Sequence, residues 1–208
     1  MIIKEATIGC CRVYSLFYLA LFSLSVNFSQ ALAAKSIRFD GNFGYSSVTV
    51  RTQKSSATAF SGYSAKSSVS YFKSKKYYVG GFAEYRSMQN TYVDDEGGQE
   101  FLTNGSLGGI LGLFLDKKGS FYLDAEMFFS LLYLDQIFSL TEKHHTYQGI
   151  GFRLGSGWRY QGRSFLMQFG PTVEYTALSG GRDTDYGLDA DDLDLQGLSL
   201  CLGFGFLI

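Results

Sequence analysis

The chain has 208 residues, which is enough for one domain of ordinary size. Its formal net charge is −1, and a balance so close to zero gives no support for a nucleic-acid partner. Charged residues make up 18% of the chain, against roughly 25% in an average soluble domain, whereas aromatic residues reach 17% and glycines number 25. This composition is typical of a β-protein that exposes little of its surface to water.

The first segment, residues 1–33, has the pattern of a cleaved export signal. Basic residues precede an apolar run over 13–26, and the small-x-small triplet that ends at Ala33 supplies a cleavage site. The run is shorter than the ~20 residues of a spanning helix, so a permanent anchor is the weaker interpretation. We expect a mature domain over 34–208, in which Cys201 is the remaining cysteine and no intrachain disulfide forms.

Eight segments in the rest of the chain alternate hydrophobic residues with small or polar ones. Because a strand sends successive side chains to opposite faces, each segment has one apolar face and one mixed face. Short turn-like clusters alternate with longer polar stretches, and together they predict four up-and-down hairpins. The short clusters lie near 73–76, 116–119 and 161–164, and the long stretches lie near 47–57, 88–100, 134–146 and 177–192.

The fifth and seventh segments illustrate the pattern and its one irregularity. In FYLDAEMFFSLLYLD, residues 121–135, the odd positions are apolar, whereas Asp124 and Glu126 are at even positions. A helix fits this stretch less well, because its polar residues would spread around most of the helical wheel. Pro171 falls within the seventh segment and lacks an N–H group for the ladder, so we expect a bulge or a local break there.

The apolar face is predicted to point outward, toward lipid. The opposite face is rich in glycine and serine, and small residues relieve crowding inside a narrow eight-stranded barrel. The apolar face also carries more bulky side chains than such an interior could hold. We therefore expect an all-β, eight-stranded antiparallel up-and-down transmembrane β-barrel with two aromatic girdles. The predicted girdle residues are Tyr77, Phe121 and Tyr160 near the short turns, and Tyr45, Tyr85, Tyr133 and Tyr175 near the long loops.

Ten charged residues fall on the predicted inward face. Unpaired charges in a confined lumen are costly, so five acids and five bases predict a polar interior in which the charges are paired. Pairing of the fifth and sixth strands would bring Glu126 close to Arg153. The predicted lumen residues are Arg38, Asp40, Lys66, Glu84, Arg86, Asp124, Glu126, Arg153, Arg159 and Glu174.

The export signal, the eight alternating segments and the terminal stretch LSLCLGFGFLI give the chain a resemblance to small Gram-negative outer-membrane β-barrels. That group includes the OmpA membrane domain, OmpX, OmpW and the opacity proteins. Its members usually end in an aromatic residue, whereas this chain ends in Ile208 after Phe204 and Phe206. The resemblance implies an outer-membrane location, periplasmic short turns and extracellular long loops. It implies as partners outer-membrane lipids, lipopolysaccharide, the barrel-assembly machinery and an extracellular ligand held by the loops; we expect a monomer.

Three functions are compatible with such a barrel. The first is a structural or surface-interaction role, and the second is a small-solute channel or transporter, against which the narrow barrel and the balanced lumen charge argue. The third is a hydrolase that modifies lipid A, which would need a base within reach of a hydroxyl nucleophile. We expect no cofactor and no metal site, since adjacent histidines of a strand point to opposite faces. The hydrolase candidates, which no diagnostic motif supports, are Glu142, His144, His145 and Thr146.

Overall fold

A computed structural model describes most of the chain after residue 36. The described ranges are 37–52, 57–72, 76–90, 99–116, 119–137, 142–162, 165–180 and 192–207. The expected signal peptide over 1–33 lies outside them, as does Ile208. Within these ranges, no helix is long and apolar enough to cross a membrane.

The described residues form eight strands in one closed barrel. Each strand pairs antiparallel with the next in sequence, and β1 also pairs with β8, which closes the sheet on itself. The predicted eight-stranded up-and-down barrel is thereby confirmed. The strands are β1 (Ile37–Thr52), β2 (Thr58–Phe72), β3 (Tyr77–Asn90), β4 (Gln99–Phe114), β5 (Phe121–Ile137), β6 (Glu142–Gln161), β7 (Phe165–Ser179) and β8 (Leu193–Leu207).

The two ends of the barrel differ in how the chain connects the strands. We call the end with the β2–β3, β4–β5 and β6–β7 connections the turn end, and the opposite end the loop end. Several strands reach further toward the loop end than predicted, since β1 ends at Thr52, β5 ends at Ile137 and β6 begins at Glu142. The prediction of long loops over 47–57 and 134–146 is therefore wrong for much of both stretches. Alternation continues there, but the apolar residues now lie on the inward face.

Most large apolar side chains of the central and turn-end parts of the barrel face outward. Phe43 is 65% exposed and Phe206 is 61% exposed, whereas the inward-facing Arg86 and Arg159 are each 1% exposed. A water-soluble barrel would show the opposite arrangement, because apolar surface leaves water spontaneously. The predicted outward direction of the apolar face is confirmed by this arrangement.

Pro171 interrupts the hydrogen-bond ladder between β6 and β7 without changing its register. Gly155 pairs with Thr172 and Trp158 pairs with Phe169, so the offset between the two strands is the same on both sides of the gap. The β7–β8 ladder continues through Pro171. The expected break is therefore present, and no extra residue is inserted, so there is no bulge.

Inward glycines leave room for large side chains that cross the narrow lumen. A Cβ atom on Gly112 would overlap the ring of Tyr78, and one on Gly151 would overlap the ring of Phe128. The outward-facing Gly109 is different, because its nearest neighbour would be a backbone oxygen 3.8 Å away. The inward glycines thus determine which side chains can fill the lumen.

Candidate functional site

The middle of the lumen contains a network of charged side chains that links five strands. Arg153 on β6 lies at its centre and donates through Nη1 to Glu126 Oε2 at 2.9 Å, through Nη2 to Glu84 Oε2 at 2.5 Å, and through Nε to Glu174 Oε2 at 3.0 Å. All of these side chains are nearly excluded from solvent. We call this set the central charge network, and its members are Lys66, Glu84, Arg86, Glu126, Arg153 and Glu174.

The central charge network is electrically balanced. Arg86 donates through Nη2 to Glu174 Oε2 at 2.6 Å and to Glu84 Oε2 at 3.0 Å, and Lys66 Nζ donates to Glu126 Oε1. Three carboxylates therefore face two guanidinium groups and one ammonium group, and each carboxylate contacts two of these cations. A buried set of this kind stabilises the fold only while it is complete, because a missing partner leaves a buried charge without compensation.

The strand register explains why these residues meet. Arg153 lies directly opposite Glu126 on β5 and directly opposite Glu174 on β7. Lys66 lies opposite Glu84 across the β2–β3 pair. Directly opposed positions bring Cβ atoms to within about 5.5 Å, which long charged side chains easily span. The predicted juxtaposition of Glu126 and Arg153 is therefore present in the register.

Aromatic rings lie over two of the three cations of this network. Lys66 Nζ lies 4.7 Å from the ring centroid of Phe82, and Arg153 Cζ lies 5.0 Å from that of Phe128. Both rings face inward and are almost completely buried. Cation–π contacts in such desolvated places add attraction to the ion pairs. The sequence pattern placed Phe128 on the mixed face, but alternation alone did not indicate this contact.

The remaining four predicted lumen residues lie nearer the turn end, around a tyrosine that sequence reasoning did not select. Arg38 Nε donates to Asp40 Oδ2 at 2.5 Å, which pairs two of them on β1. Asp124 accepts a hydrogen bond from the Tyr78 hydroxyl, and Arg159 Nη2 donates to the same hydroxyl oxygen at 3.2 Å. Tyr78 thus joins an acid and a base that do not pair directly here. Alternation already placed Tyr78 on the same face as Glu84 and Arg86, but it did not indicate these two contacts.

The loop-end part of the lumen is apolar. The prediction of a polar lumen is wrong here, because buried hydrophobic side chains from all eight strands meet inside the barrel. Leu102, Leu132 and Leu195 are completely buried. We call this cluster the apolar plug, and its members are Val48, Val50, Phe60, Met88, Leu102, Leu132, Leu134, Tyr147, Leu178, Leu193 and Leu195.

Polar residues cover the outside of the barrel at the height of the apolar plug. We call this loop-end section the collar; examples of its outward residues are Ser47 and Arg51 on β1, Gln89 on β3, and Asp194 and Gln196 on β8. Below the collar the exterior is apolar, and the interior combines charged side chains with a smaller aromatic cluster, so both faces change character at one level of the barrel. Outward tyrosines lie near this change, namely Tyr45, Tyr63, Tyr85, Tyr133 and Tyr175. Tyrosine suits a boundary because its ring is apolar and its hydroxyl is polar.

The hydrolase candidates lie on the collar, and those whose side chains are described do not converge. His144 faces outward, and its Nδ1 lies 2.8 Å from Asp135 Oδ1, a carboxylate that the sequence analysis did not select. His145 points to the other face, where its ring centroid lies 6.4 Å from that of Tyr147. Thr146 shares the outward face of His144, and the side chain of Glu142 lies outside the described residues. A histidine–carboxylate pair orients a base but supplies no nucleophile by itself.

Metal coordination finds no support in the described part of the chain. No group of three or more His, Cys, Asp or Glu side chains converges there to hold an ion. Cys201 is a free thiol that is partly buried on the inward face of β8.

A closed eight-stranded sheet with an apolar exterior and a charged interior defines the class of membrane-spanning β-barrels. No protein-family model matches the chain, and no curated protein matches it in sequence. Solved structures do match it. Ail, the attachment invasion locus protein of Yersinia pestis, superposes with a TM-score of 0.53 at 10% identity, over 83% of this chain and 99% of that one.

Neisserial surface protein A is a second similar structure. It superposes with a TM-score of 0.51 at 12% identity, over 82% of this chain and 97% of that one. At such low identity the likeness concerns the fold alone. The chain has the fold of the small eight-stranded outer-membrane barrels, which confirms the resemblance seen in its sequence.

Proposed function

We propose that this chain is an integral outer-membrane barrel with a closed lumen, and that its role is structural or interactive at the cell surface. The observation that carries the proposal is the reversal of both faces at the collar. Below the boundary tyrosines the large outward side chains are apolar, as a bilayer requires, and above them most outward side chains are polar. Such a barrel is embedded in lipid over part of its height and stands in water over the rest.

The filling of the lumen supports a closed barrel. The interior of an eight-stranded barrel is just wide enough for side chains to fill it. Here the central charge network occupies the middle, and the apolar plug occupies the loop end. Above the plug, Glu100 accepts hydrogen bonds from Asn90 Nδ2 at 3.0 Å and from Gln136 Nε2 at 2.6 Å. A hydrated ion would have to displace both layers, so we do not favour the channel hypothesis.

The proposed orientation places the turn end in the periplasm and the loop end outside the cell. The collar and the loop-end connections would then form the surface that meets lipopolysaccharide and external partners. The solved structures with this fold include two proteins whose names denote attachment or a surface location. An interactive role for this chain rests on the polar collar as much as on those likenesses.

The conductance of a planar lipid bilayer tests the closed lumen. We expect the purified barrel to add no steady ion current, whereas a wide porin inserted in the same bilayer conducts. A Leu102→Ser, Leu132→Ser double variant disturbs the apolar plug but not the central charge network. It should also add no steady ion current, because the central charge network still fills the lumen. A steady current from the wild-type barrel would overturn the closed lumen and favour the channel.

Two further measurements address location and chemistry. Heat-modifiable gel mobility in isolated outer membranes tests the barrel and its location together, and its absence would contradict the proposal. Lipid A from cells that express the protein should keep its mass. A loss of one acyl chain, abolished by His144→Asn, would instead assign a hydrolase to the outward histidine–carboxylate pair.

A further inference from the structure

The ladder between β6 and β7 has a gap below the collar, in the part of the wall whose exterior is apolar. The register would pair Ser156 with Pro171 and Gly157 with Gly170. Both pairings are missing, whereas those on either side of them are present. We call these four residues the ladder gap.

The ladder gap leaves one backbone carbonyl oxygen without its ladder partner. A Cβ atom on Gly170 would overlap the carbonyl oxygen of Ser156, so this oxygen points toward β7. The carbonyl oxygen of Pro171 points back toward β6, since it lies 4.0 Å from the position of a Cβ atom on Gly155. Two opposed residues with this orientation normally exchange two N–H···O bonds. Because Pro171 has no N–H group, the ladder offers the Ser156 oxygen no donor.

A recess in the outer wall lies at the ladder gap and has a volume of about 310 Å³. It reaches through the wall as far as Tyr122, which belongs to the inward face. Gly157 and Gly170 also line it and carry no side chain, so the wall is thin between the two faces. The outward side chains of its rim include those of Leu115, Phe121, Trp158 and Phe169.

The hydroxyl group of Tyr122 lies beside the ladder gap on its inner side. The hydroxyl oxygen is 2.7 Å from the position that a Cβ atom on Gly157 would occupy. Gly157 directly follows Ser156 and lies opposite Tyr122 across the β5–β6 pair. The ring is held in place by a cation–π contact, since Arg159 Cζ lies 4.9 Å from its centroid. The hydroxyl and the Ser156 carbonyl therefore border the same small space.

The chemistry of this space selects a water molecule as its occupant. The Ser156 oxygen can only accept a hydrogen bond, whereas a water molecule can donate to it and exchange a second bond with the Tyr122 hydroxyl. Lipid acyl chains on the outer side carry no donor, and a backbone carbonyl without a partner is costly in a wall surrounded by lipid. Bound waters in proteins occupy such polar sites, where two to four polar groups hold them.

We propose that one bound water molecule replaces the missing N–H group of Pro171. It donates to the Ser156 carbonyl oxygen and is positioned by the Tyr122 hydroxyl. The water and the tyrosine together close the wall at the point where the recess would otherwise meet the lumen. This site belongs to the wall of the barrel, and it does not depend on the role proposed at the cell surface.

A double-mutant cycle tests the link between Tyr122 and Pro171. Tyr122→Phe removes only the hydroxyl, and it should lower the equilibrium constant of folding roughly tenfold, as the loss of a buried hydrogen-bonding group implies. Pro171→Ala restores the N–H group to the ladder. In that background Tyr122→Phe should change the constant by less than about twofold, because the Ser156 oxygen then has a backbone donor.

Tyr147→Phe is the matched control, since Tyr147 is an inward tyrosine that lies in the apolar plug. Its effect should be the same with Pro171 and with Ala at that position. Urea unfolding of the reconstituted proteins measures the constants, and heat-modifiable mobility shows that each barrel has formed. An equal effect of Tyr122→Phe in the two backgrounds would overturn the link between the hydroxyl and the ladder gap.

X-ray radiolysis detects the water molecule itself, because bound water then yields hydroxyl radicals that modify adjacent side chains. In the wild type we expect modification of Tyr122 but not of Tyr147. The modification of Tyr122 should be lost in Pro171→Ala, where the backbone N–H takes the place of the water. A wild-type barrel in which Tyr122 stays unmodified would overturn the bound water, and this result needs no variant to fold.

Discussion

The membrane section of the barrel and the collar share the same eight strands, yet their apolar side chains point in opposite directions. On β1, Phe43 and Tyr45 face outward, whereas Val48 and Val50 face inward. Within each section of β1 the apolar residues occupy every second position. They are odd-numbered in the membrane section and even-numbered in the collar, so the apolar residues change face between the two sections. The reversal shows that the solvent around the barrel changes from lipid to water along one continuous strand.

The two sections are also held together by different forces. In the membrane section, the lumen is filled by paired charges and hydrogen bonds together with a smaller cluster of Tyr78, Phe82, Ile110 and Phe128. In the collar, water surrounds the sheet, and burial of apolar side chains stabilises it as in any soluble domain. Substitutions in the two sections should therefore lower the stability of the barrel for different physical reasons.

The largest effect is expected from Arg153→Met in the membrane section. The substitution keeps the side-chain length but leaves three buried carboxylates short of one cation, which should lower the free energy of unfolding by about 3–5 kcal/mol. Urea unfolding of the reconstituted barrel measures it. Arg51→Met on the exposed outer face of the collar is the control and should change stability by less than about 0.5 kcal/mol. Similar losses for both variants would contradict the central charge network.

Leu132→Ala tests the apolar plug in the collar. Leu132 is completely buried, so truncation removes apolar contacts and leaves a cavity, at a cost of about 2–5 kcal/mol. Its neighbour Leu131 faces outward and is 38% exposed, so Leu131→Ala leaves no enclosed cavity and should cost clearly less. Equal losses of unfolding free energy in the two variants would mean that the plug is not packed.

The pairing of Glu126 with Arg153 can be measured apart from the rest of the network. A double-mutant cycle with Glu126→Gln and Arg153→Met should give a coupling free energy of about 1–3 kcal/mol, because the two side chains form a hydrogen-bonded ion pair. Denaturation of the four proteins under one condition supplies the numbers. A coupling free energy near zero would show that Glu126 and Arg153 do not stabilise the barrel as an ion pair.

A smaller contrast is expected between an inward and an outward glycine. Gly112→Ala would place a methyl group against the Tyr78 ring and should destabilise the barrel by roughly 1–3 kcal/mol. Gly109→Ala points into open space, so its effect should stay within about 0.5 kcal/mol of zero. Thermal unfolding distinguishes them, and a larger loss for Gly109→Ala would show that the assigned faces are reversed.

The fold could be predicted from the sequence because alternation is a local property. The two faces of each strand can be recognised from the residues of that strand alone. The missing N–H of Pro171 likewise predicts the ladder break at its own position. The orientation of the apolar face followed from counting bulky residues against the volume of a narrow barrel. The pairing of Glu126 with Arg153 followed from centring the hairpin on the stretch 134–146, an assumption that left a slip of two residues open and that the observed register agrees with.

The collar was harder to predict from the sequence. Its apolar residues move from one face of the strand to the other, and such a change looks like the end of the alternating pattern. Val48 and Val50 alternate correctly but in the opposite sense to Phe43, so the stretch appeared to be a loop. The role of Tyr78 was missed because its contacts with Asp124 and Arg159 cross the lumen between strands that are not neighbours. Side-chain contacts across a barrel cannot be inferred from the residues of one strand.

The depth of β8 in a lipid bilayer tests the central claim most directly. Spin labels are placed one at a time at outward positions 194, 196, 198, 200, 202 and 204 in a Cys201→Ser background, and their collisions with oxygen and with a water-soluble nickel complex are compared. The account predicts that nickel dominates at 194 and 196 and oxygen dominates from 198 onward, so that the crossover coincides with the change from Gln196 to Leu198. Access of the nickel complex to every position, or oxygen dominance that extends to 194, would contradict a barrel that leaves the lipid at the collar.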